Sequence, residues 1–393
     1  MCARHEAADR VARAGLPVGQ TLCDDGNGHV CPFFAGCAYQ RSAAEARAAE
    51  AGIYVATLDY AFTPGAPMPR ADLVIMDETF VARAVSTTSF GLDRLLPDNM
   101  PDWRRAGRAL TVAYRETAVK VRDALTDPAG ILASLRARGI TAREDSAAAI
   151  AYLDAAEDSS FTGGISPDMP DAEVLSRLDA LQRSELGAIR AMLAALRNEI
   201  EQPRDIAHAV TFNPDCLVKV NGRAERQARI FVHRRRRLSI ADDVPMLLLD
   251  ASADAEICRR LVGDRLEAVG VQCERNAIIV QVRDTANART SLLGHNGDAR
   301  SEDTAGRRLT LTANVANGIA ARHGEAFLAT YAKVEPVIAP KLAGNVLTGH
   351  FGKIRGQNLW ERCTAGIILG REQPKALAVE ALARALHSDD PSR

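Results

Sequence analysis

The pattern of apolar and polar positions divides the chain into two α/β regions separated by a helical stretch. Short apolar runs at 53–57 and 73–76 are typical of strands, and the polar segment 38–51 between the first cysteines and these runs predicts a helix. After residue 240 the pattern predicts strands at 246–249, 277–282, 327–331 and 366–369, with helices at 254–262 and 311–323. Strands and helices in quick alternation favour an α/β fold with parallel sheets.

The region from about 92 to 205 is predicted to be helical. Apolar residues recur at helical spacing from Val174 to Ile200, which predicts one long amphipathic helix, and shorter patterns occupy 104–123 and 129–138. Asn221-Gly222 then predicts the turn of a β-hairpin, with 229–233 on its return strand. The predicted domains are 1–40, 41–240 with a helical insertion at about 92–205, 241–385, and a frayed tail at 386–393.

Composition is that of a globular protein and excludes a disordered or fibrous chain. Of 393 residues, 47% are hydrophobic and 25% charged, and the length favours two domains. No apolar run approaches the ~18 residues of a membrane span, and charges occur throughout the first twenty residues. We therefore expect a cytoplasmic protein without a membrane partner. The net charge is −1, but only 6 of the 49 basic residues are Lys. This arginine excess suits phosphate binding and also fits a GC-rich genome.

Four of the eight cysteines lie within the first 37 residues, at Cys2, Cys23, Cys31 and Cys37. A cytosolic chain is not expected to use such a group for disulfides. Four thiolates can surround Zn²⁺ or hold an iron–sulphur cluster, and His29 is an alternative to Cys2 as the fourth ligand. The other interpretation is that Cys2 is unrelated and the remaining three pack as small apolar residues.

An apolar strand ending in two acids, Leu73–Met76 followed by Asp77-Glu78, has the Walker B pattern of nucleotide-hydrolysing enzymes. Asp77 would hold Mg²⁺, and Glu78 would orient and deprotonate the attacking water as the catalytic base. A strand followed by two exposed acids without a catalytic role gives the same pattern.

The cysteine quartet ahead of this strand resembles the iron–sulphur superfamily 2 DNA helicases, the XPD/DinG group. The likeness extends to Cys31-Pro-Phe-Phe, Cys37-Ala-Tyr-Gln-Arg and the segment 51–60, in which Thr57 and Asp59 depart from the family pattern. The resemblance implies two RecA-like parallel-sheet lobes, the first truncated at its amino end, with ATP and Mg²⁺ as cofactors. It also implies a [4Fe–4S] cluster, with Zn²⁺ as second choice, and single-stranded or forked DNA as the partner.

Two later segments extend this resemblance. Residues 247–254 resemble the strand and Ser-Ala turn that open the second lobe, and 349–358 with 365–371 resemble helicase motifs V and VI. The positions implied to contact phosphates are Gly349, Arg355, Gly356 and Gly370, and Arg371 is the implied arginine finger, with Arg355 its rival. Ile367 departs from the pattern, in which Gln is frequent, and the Gly-Arg pair is also compatible with an ordinary exit from a strand.

The phosphate-binding loop of such an enzyme does not occur in the sequence. The only Gly-Lys pair, Gly352-Lys353, is followed by Ile354 and comes after the acid pair. We therefore expect a helicase core of prophage or plasmid type that is inactive by itself. Its phosphate loop would be encoded upstream or supplied by a separate subunit.

A rival hypothesis is a non-enzymatic metal-knuckle protein that binds nucleic acid or a replication partner, with the acid pair inert. The basic run His233–Arg237 suits a nucleic-acid backbone or a solvated turn. Trp103 and Trp360 suit stacking on bases or ordinary packing.

Overall fold

The computed structural model forms two compact units, Met1–Val269 with Leu377–Arg393, and Gly270–Ala376. The division lies near residue 270, whereas the sequence analysis placed it at 240/241, so the strand at 246–249 belongs to the first unit. The residues that the structure describes are 2–13, 16–48, 52–63, 70–77, 80–96, 106–156, 164–180, 186–220, 223–250, 253–272, 276–283, 285, 287–295, 297–354, 357–374 and 376–390.

Helices account for much of the first unit. Its helices are α1 His5–Arg13, α2 Ala38–Ala48, α3 Arg108–Ala124, α4 Ile131–Ala137, α5 Ala147–Ala156, α6 Asp171–Ala180, α7 Leu186–Glu199 and α8 Ala255–Val262. Those of the second unit are α9 Arg289–Leu293, α10 Ala299–His323 and α11 Glu335–Ile338, and α12 Ala376–Leu386 follows. Among the described helices, none is both long and apolar enough to cross a membrane.

The strands of the described residues form three separate sheets, and the fold is a mixed α/β fold. They are β1 Val74–Asp77, β2 Val85–Gly91, β3 Val210–Val220, β4 Arg223–Arg235, β5 Met246–Leu249, β6 Ala326–Thr330, β7 Val346–His350 and β8 Ala365–Ile368. Strands β1 and β5 pair in parallel, β2-β4-β3 is antiparallel, and β7-β6-β8 is parallel. The predicted hairpin is confirmed, because β3 and β4 flank residues 221–222 in antiparallel register.

The largest core of the first unit lies between the helices α3, α5 and α7 and the antiparallel sheet. The helices bury apolar residues at three- and four-residue intervals, as Tyr114, Ala118 and Val121 do in α3. The rings of Tyr114 and Tyr152 stack with centroids 4.7 Å apart. The predicted helical region is thus confirmed, although the described parts of 174–200 are two helices, α6 and α7, rather than one.

A buried glutamate joins the end of α7 to the start of β3. The Glu199 side chain is 4% exposed, and its carboxylate accepts hydrogen bonds from the backbone N–H groups of His208 (2.6 Å) and Ala209 (2.8 Å). The same carboxylate is 3.1 Å from the guanidinium of Arg204, which is 10% exposed. One charge therefore satisfies two backbone donors and one arginine where the chain turns back into the sheet.

The turn after α7 is also held by Arg136 of α4. This guanidinium donates to the carbonyl oxygens of Ile200 (3.2 Å) and Gln202 (2.9 Å), and to that of Arg204. It also forms an ion pair with Asp205 at 3.3 Å. The guanidinium of Arg136 thus binds several acceptors of one loop. A lysine ammonium has fewer N–H donors and could not bind all of them.

His233 crosses the middle of the antiparallel sheet and is buried. One ring nitrogen is 3.0 Å from the Thr87 hydroxyl on β2 and the other is 3.0 Å from the Thr211 hydroxyl on β3. A neutral imidazole satisfies both hydroxyls, because one nitrogen donates and the other accepts. Burial lowers the pKa of His233, so the charged form is disfavoured in the fold.

We expect the first unit to lose stability as the pH falls below about 6.5, the histidine pKa of an unfolded chain. The folded state resists protonation of His233, so the unfolded state binds more protons in this range and gains stability. The limiting slope is about 1.4 kcal/mol per pH unit for one histidine. Urea unfolding measured from pH 5 to 7.5 should therefore show a flatter profile for His233→Gln than for the unsubstituted chain. An unchanged slope would assign the acid sensitivity to other groups, such as His208, whose pKa burial also lowers.

The second unit is a three-stranded parallel sheet covered by the long helix α10. Central β6 is the most buried strand, with Ala326 and Leu328 fully buried, as expected where helices cover a parallel sheet. Asp298 caps α10 by accepting from the N–H groups of Arg300 and Ser301. The predicted strands at 327–331 and 366–369 are confirmed with shifts of one residue at their ends, whereas the predicted helix at 311–323 is the second part of α10, which begins earlier, at Ala299.

Several predictions of local structure are wrong. The apolar runs 53–57 and 277–282 form no strand, and Ile53 and Ile278 are each 96% exposed. Residues 346–350, predicted as part of a loop, form β7. The segment after Leu386 is not frayed up to Asp390, because three arginines of the first unit bind it.

Candidate functional site

A tight loop brings Cys23 and Cys31 together. The N–H of Cys31 donates to the carbonyl of Cys23 at 2.9 Å, and Asp24 and Val30 form a β-bridge between them. The Asp24 carboxylate accepts from the N–H of Gly26, which has φ +74°. Residues 23–31 therefore form a tight backbone turn, and metal binding by this segment stays a prediction.

Three amino-terminal thiols, those of Cys2, Cys31 and Cys37, act electrostatically on the fourth, Cys23. Burial is the main cause that raises the pKa of Cys23, a hydrogen bond with the Gln40 side chain opposes it, and the charges of Cys31, Cys2 and Cys37 raise it further. All four are partly buried and free. The N–H of Cys37 donates to the carbonyl of Phe34, whose N–H donates to the carbonyl of Cys31, so Cys31 and Cys37 belong to consecutive turns.

A buried arginine next to these thiols was not found from the sequence. Arg4 is 3% exposed, donates to Asp171 at 2.5 Å and to the Met169 carbonyl at 2.7 Å, and forms a hydrogen bond with the Cys31 thiol. Burial disfavours its charge, but the bonds to Asp171 and Cys31 outweigh burial and raise the pKa of Arg4. A permanent positive charge at this position stabilises thiolates.

A small core supports this region. Ala7 and Val11 of α1, together with Leu22, pack against Val174 and Leu178 of α6. The amino-terminal helix is therefore anchored more than 160 residues away in sequence, through this core and through the bonds of Arg4. This anchoring fixes Cys2 and Cys31 relative to α6.

The four cysteines do not form a closed shell for a single ion. Within the described ranges, no three His, Cys, Asp or Glu side chains lie close enough together to hold one metal ion. Sulfurs around one Zn²⁺ would lie about 3.8 Å apart, because tetrahedral Zn–S bonds are about 2.3 Å long. A cubane cluster binds each thiolate to a different iron, so its ligands are not required to surround one atom. Binding of a cluster by these cysteines stays a prediction.

His29, the alternative fourth ligand, pairs with Asp25. Its Nδ1 is 2.8 Å from the Asp25 carboxylate, and half of the side chain is exposed. The hydrogen bond to Asp25 raises the pKa of His29 and, with backbone bonds, lowers that of Asp25. Cys2, rather than His29, is the group that acts electrostatically on Cys23.

The acidic strand β1 pairs in parallel with β5, and Asp77 lies opposite Leu249. Asp250 follows Leu249, so Asp77 and Asp250 come from the carboxyl ends of two neighbouring strands, the edge where open α/β sheets bind ligands. Glu78, the expected base, lies outside the described residues. The expected burial of the strand is wrong on one face, because Met76 is 4% exposed but Ile75 is 57% exposed.

Asp59, which departs from the helicase pattern, has a structural partner. Its carboxylate is 3.6 Å from Arg236 and 3.7 Å from Arg83. Arg236 also stacks over the Phe62 ring at 5.0 Å and donates to the Phe62 carbonyl at 3.0 Å. Part of the basic run 233–237 therefore fastens the segment around Asp59 to the antiparallel sheet.

In the second unit, Gly349 and Gly370, two of the glycines expected to contact phosphates, have packing roles. An added Cβ at Gly349 would lie 2.8 Å from Ile354 and 2.9 Å from Trp360, whose ring packs on Phe327 with centroids 4.2 Å apart. Gly370 has φ +96°, and its Cβ would lie 2.8 Å from Cζ of Tyr331. Trp360 is accordingly a packing residue. Arg355, Gly356 and Trp103 lie outside the described residues.

The candidate arginine finger is exposed at the end of β8. The N–H of Arg371 donates to the Tyr331 hydroxyl at 3.1 Å, and that hydroxyl donates to the Arg371 carbonyl at 3.0 Å. The guanidinium donates to Gln373 at 2.6 Å. Asp77 belongs to the first unit and Arg371 to the second, so a shared interlobe site stays a prediction.

Comparison with protein-family models, with curated proteins and with solved structures found no match.

Proposed function

We propose that this chain carries the cysteine-bearing and acidic-strand parts of an XPD/DinG-like helicase, a DNA-dependent ATPase with RecA-like lobes. Cys2, Cys23, Cys31 and Cys37 would hold a [4Fe–4S] cluster, and Asp77 with Glu78 would act on Mg²⁺ and the attacking water. A bound cluster would cross-link four points of the amino-terminal segment. The setting for such a protein is the cytoplasm.

The observation that carries the proposal is the grouping of the four cysteines. Spacing in the sequence singled out these four of eight, and three of them, Cys31, Cys2 and Cys37, act electrostatically on Cys23, which is also joined to Cys31 by a backbone hydrogen bond of 2.9 Å. Arg4 supplies a buried positive charge at Cys31, and Gln40 supplies a side-chain hydrogen bond to Cys23. Hydrogen bonds and positive charge around thiolates are the means by which proteins stabilise an anionic cluster.

The acidic edge supports the nucleotide part of the proposal. Asp77 is exposed at the end of β1, and Asp250 continues the neighbouring strand, so oxygen ligands suited to Mg²⁺ come from two adjacent strand ends. The sequence has no phosphate-binding loop. Hydrolysis therefore requires that loop from a further segment or subunit, because positioning the phosphate is most of phosphoryl-transfer catalysis.

The rival function, a non-enzymatic metal knuckle that binds nucleic acid, is favoured by one observation. Within the described part of the chain, the sheet beside Asp77 has two strands. Doubly wound nucleotide-binding sheets have about five or six strands. The metal separates the two hypotheses, because the helicase group carries a cluster.

The test is metal analysis of the chain purified without oxygen. We expect a brown protein with broad visible absorption, about four iron and four sulphide per chain, because four grouped thiolates match a cubane. Cys31→Ser should lose the colour and most of the iron. Cys216→Ser, which removes a partly buried thiol on β3 of the same unit, should retain both.

A colourless protein with one zinc per chain would favour the knuckle instead, and absence of both metals would remove the site. The assignment of the base has its own check. If the chain hydrolyses ATP by itself and Glu78→Gln leaves the rate unchanged, neither the missing loop nor the base is correctly assigned.

A further inference from the structure

Three arginines of the first unit converge on the segment 388–390. Arg204 donates to the carbonyl oxygens of Ser388 (2.6 Å) and Asp390 (2.9 Å). Arg235 forms an ion pair with Asp389 at 2.9 Å, and Arg260 forms one with Asp390 at 2.5 Å. We call Arg204, Arg235 and Arg260 the arginine cluster. Its members come from the turn after α7, from β4 and from α8, so the fold assembles it from distant parts of the sequence.

The three arginines belong to the folded body of the first unit, whereas the acidic residues that they bind lie in the short segment 388–390 after α12. Arg204 is 10% exposed and is held by the buried Glu199, whereas the side chains of Arg235 and Arg260 are about one third exposed, at 29% and 31%. The side chain of Asp389 is 54% exposed, whereas that of Asp390 is 12% exposed. The segment follows α12, whose last residues Ala385 and Leu386 are buried. The segment can therefore leave the cluster while α12 stays in place.

The chemistry of the cluster matches a phosphate chain. Guanidinium groups bind carboxylate and phosphate oxygens with the same fork geometry, so two adjacent aspartates present the charges of two successive phosphates. Arg237, two positions after Arg235, is exposed and forms no ion pair with any carboxylate of the described residues. A backbone that carries one charge per nucleotide fits such a surface.

We propose that the arginine cluster binds the phosphates of single-stranded nucleic acid, and that residues 388–390 occupy it as an intramolecular competitor. The choice of nucleic acid as ligand rests on the proposed function, whereas the contact between the acids and the cluster does not. Binding of the strand requires the segment to leave, so the acids weaken binding in the intact chain.

The test measures binding of a fluorescent oligothymidylate of about 20 nucleotides at about 50 mM salt, a length and salt at which backbone contacts are strong. We expect Asp389→Asn/Asp390→Asn to bind about three- to tenfold more tightly, the range for removing two partly exposed ion pairs. The slope of log affinity against log salt should stay about the same, because the segment has left the cluster in both complexes and the strand contacts the same phosphates. Adding Arg235→Gln and Arg260→Gln should abolish the gain.

Asp242→Asn/Asp243→Asn is the matched control, since it neutralises another adjacent pair of exposed aspartates. An equal gain in this control would reduce the effect to net charge and overturn the proposal. Equal binding by the intact chain and the 389/390 variant would overturn the competitor alone and leave the proposed function standing. Absence of binding by every form would overturn the nucleic-acid partner of the proposed function as well.

A second measurement needs no substitution. Saturating oligonucleotide should speed amide hydrogen exchange at 387–390 in the intact chain, while exchange in α3 and α7 stays the same or slows. Unchanged or slower exchange at 387–390 would show that the segment does not leave, and would overturn the proposal.

Discussion

Replacing Glu199 by glutamine should lower the free energy of unfolding of the first unit by about 3 kcal/mol. The carboxylate accepts from two backbone N–H groups and pairs with Arg204, all in a buried place. Glutamine keeps the shape but presents an NH₂ group where an acceptor is needed, and it leaves Arg204 without its buried counter-charge. Native-state hydrogen exchange of α3, α5 and α7 measures the loss in this unit alone.

Glu201→Gln is the matched control two residues further along. Glu201 pairs with Arg143 at 3.1 Å, and both side chains are about half exposed. Its loss should cost at most about 1 kcal/mol, the usual value of a surface ion pair. Equal effects of the two substitutions would contradict the role given to burial at Glu199.

Gly370→Ala should destabilise the second unit by about 2–4 kcal/mol, with or without any phosphate ligand. At φ +96° an L side chain is strained, and the new Cβ would overlap the ring of Tyr331. That ring cannot move freely, because its hydroxyl is hydrogen-bonded to both backbone groups of Arg371. In a Trp103→Phe background, Trp360 is the single tryptophan of the chain and its fluorescence reports unfolding of this unit.

Gly366→Ala provides the comparison, in the strand β8 that precedes Gly370, since an added Cβ there meets no atom within 4 Å. It should be neutral or slightly stabilising, as is usual for Gly-to-Ala changes at permitted φ. If Gly370→Ala were equally harmless, the packing explanation of this glycine would be wrong, and a ligand-binding role would have to account for it.

The local pattern of apolar and polar residues was sufficient to predict the helices and strands that bury one face. The helices around 108–124 and 299–323 and the hairpin at 210–235 follow from apolar spacing and turn residues, which act within a few positions. The run 277–282 has the same strand-like composition, but a strand also needs a partner, and Ile278 is 96% exposed. Strand β7 was missed because Gly349 and His350 look like loop residues. Their pairing with β6 depends on the tertiary structure, which the local sequence pattern does not show.

The candidate site divides in the same way. Clustered cysteines are visible in the sequence because they lie within 36 positions of one another, and the acid pair is visible because a strand precedes it. The role of Arg4 could not be predicted from the sequence, because it depends on Asp171, which is 167 residues away. The binding of residues 388–390 by Arg204 spans more than 180 positions. Isolated charges carry no pattern that identifies such partners.

The arginine excess acquires a different meaning from these contacts. Arg4, Arg136 and Arg204 each bind three or more acceptors in separate directions, most of them backbone carbonyls of a loop. Lysine would preserve the charge at these positions but not the planar set of five donors. Replacement of arginine by lysine should therefore cost little at helix-surface positions such as Arg307, which pairs with Asp303 one turn away. At Arg4, Arg136 and Arg204 the same replacement would remove hydrogen bonds that hold a loop in place, as backbone hydrogen bonds do within secondary structure.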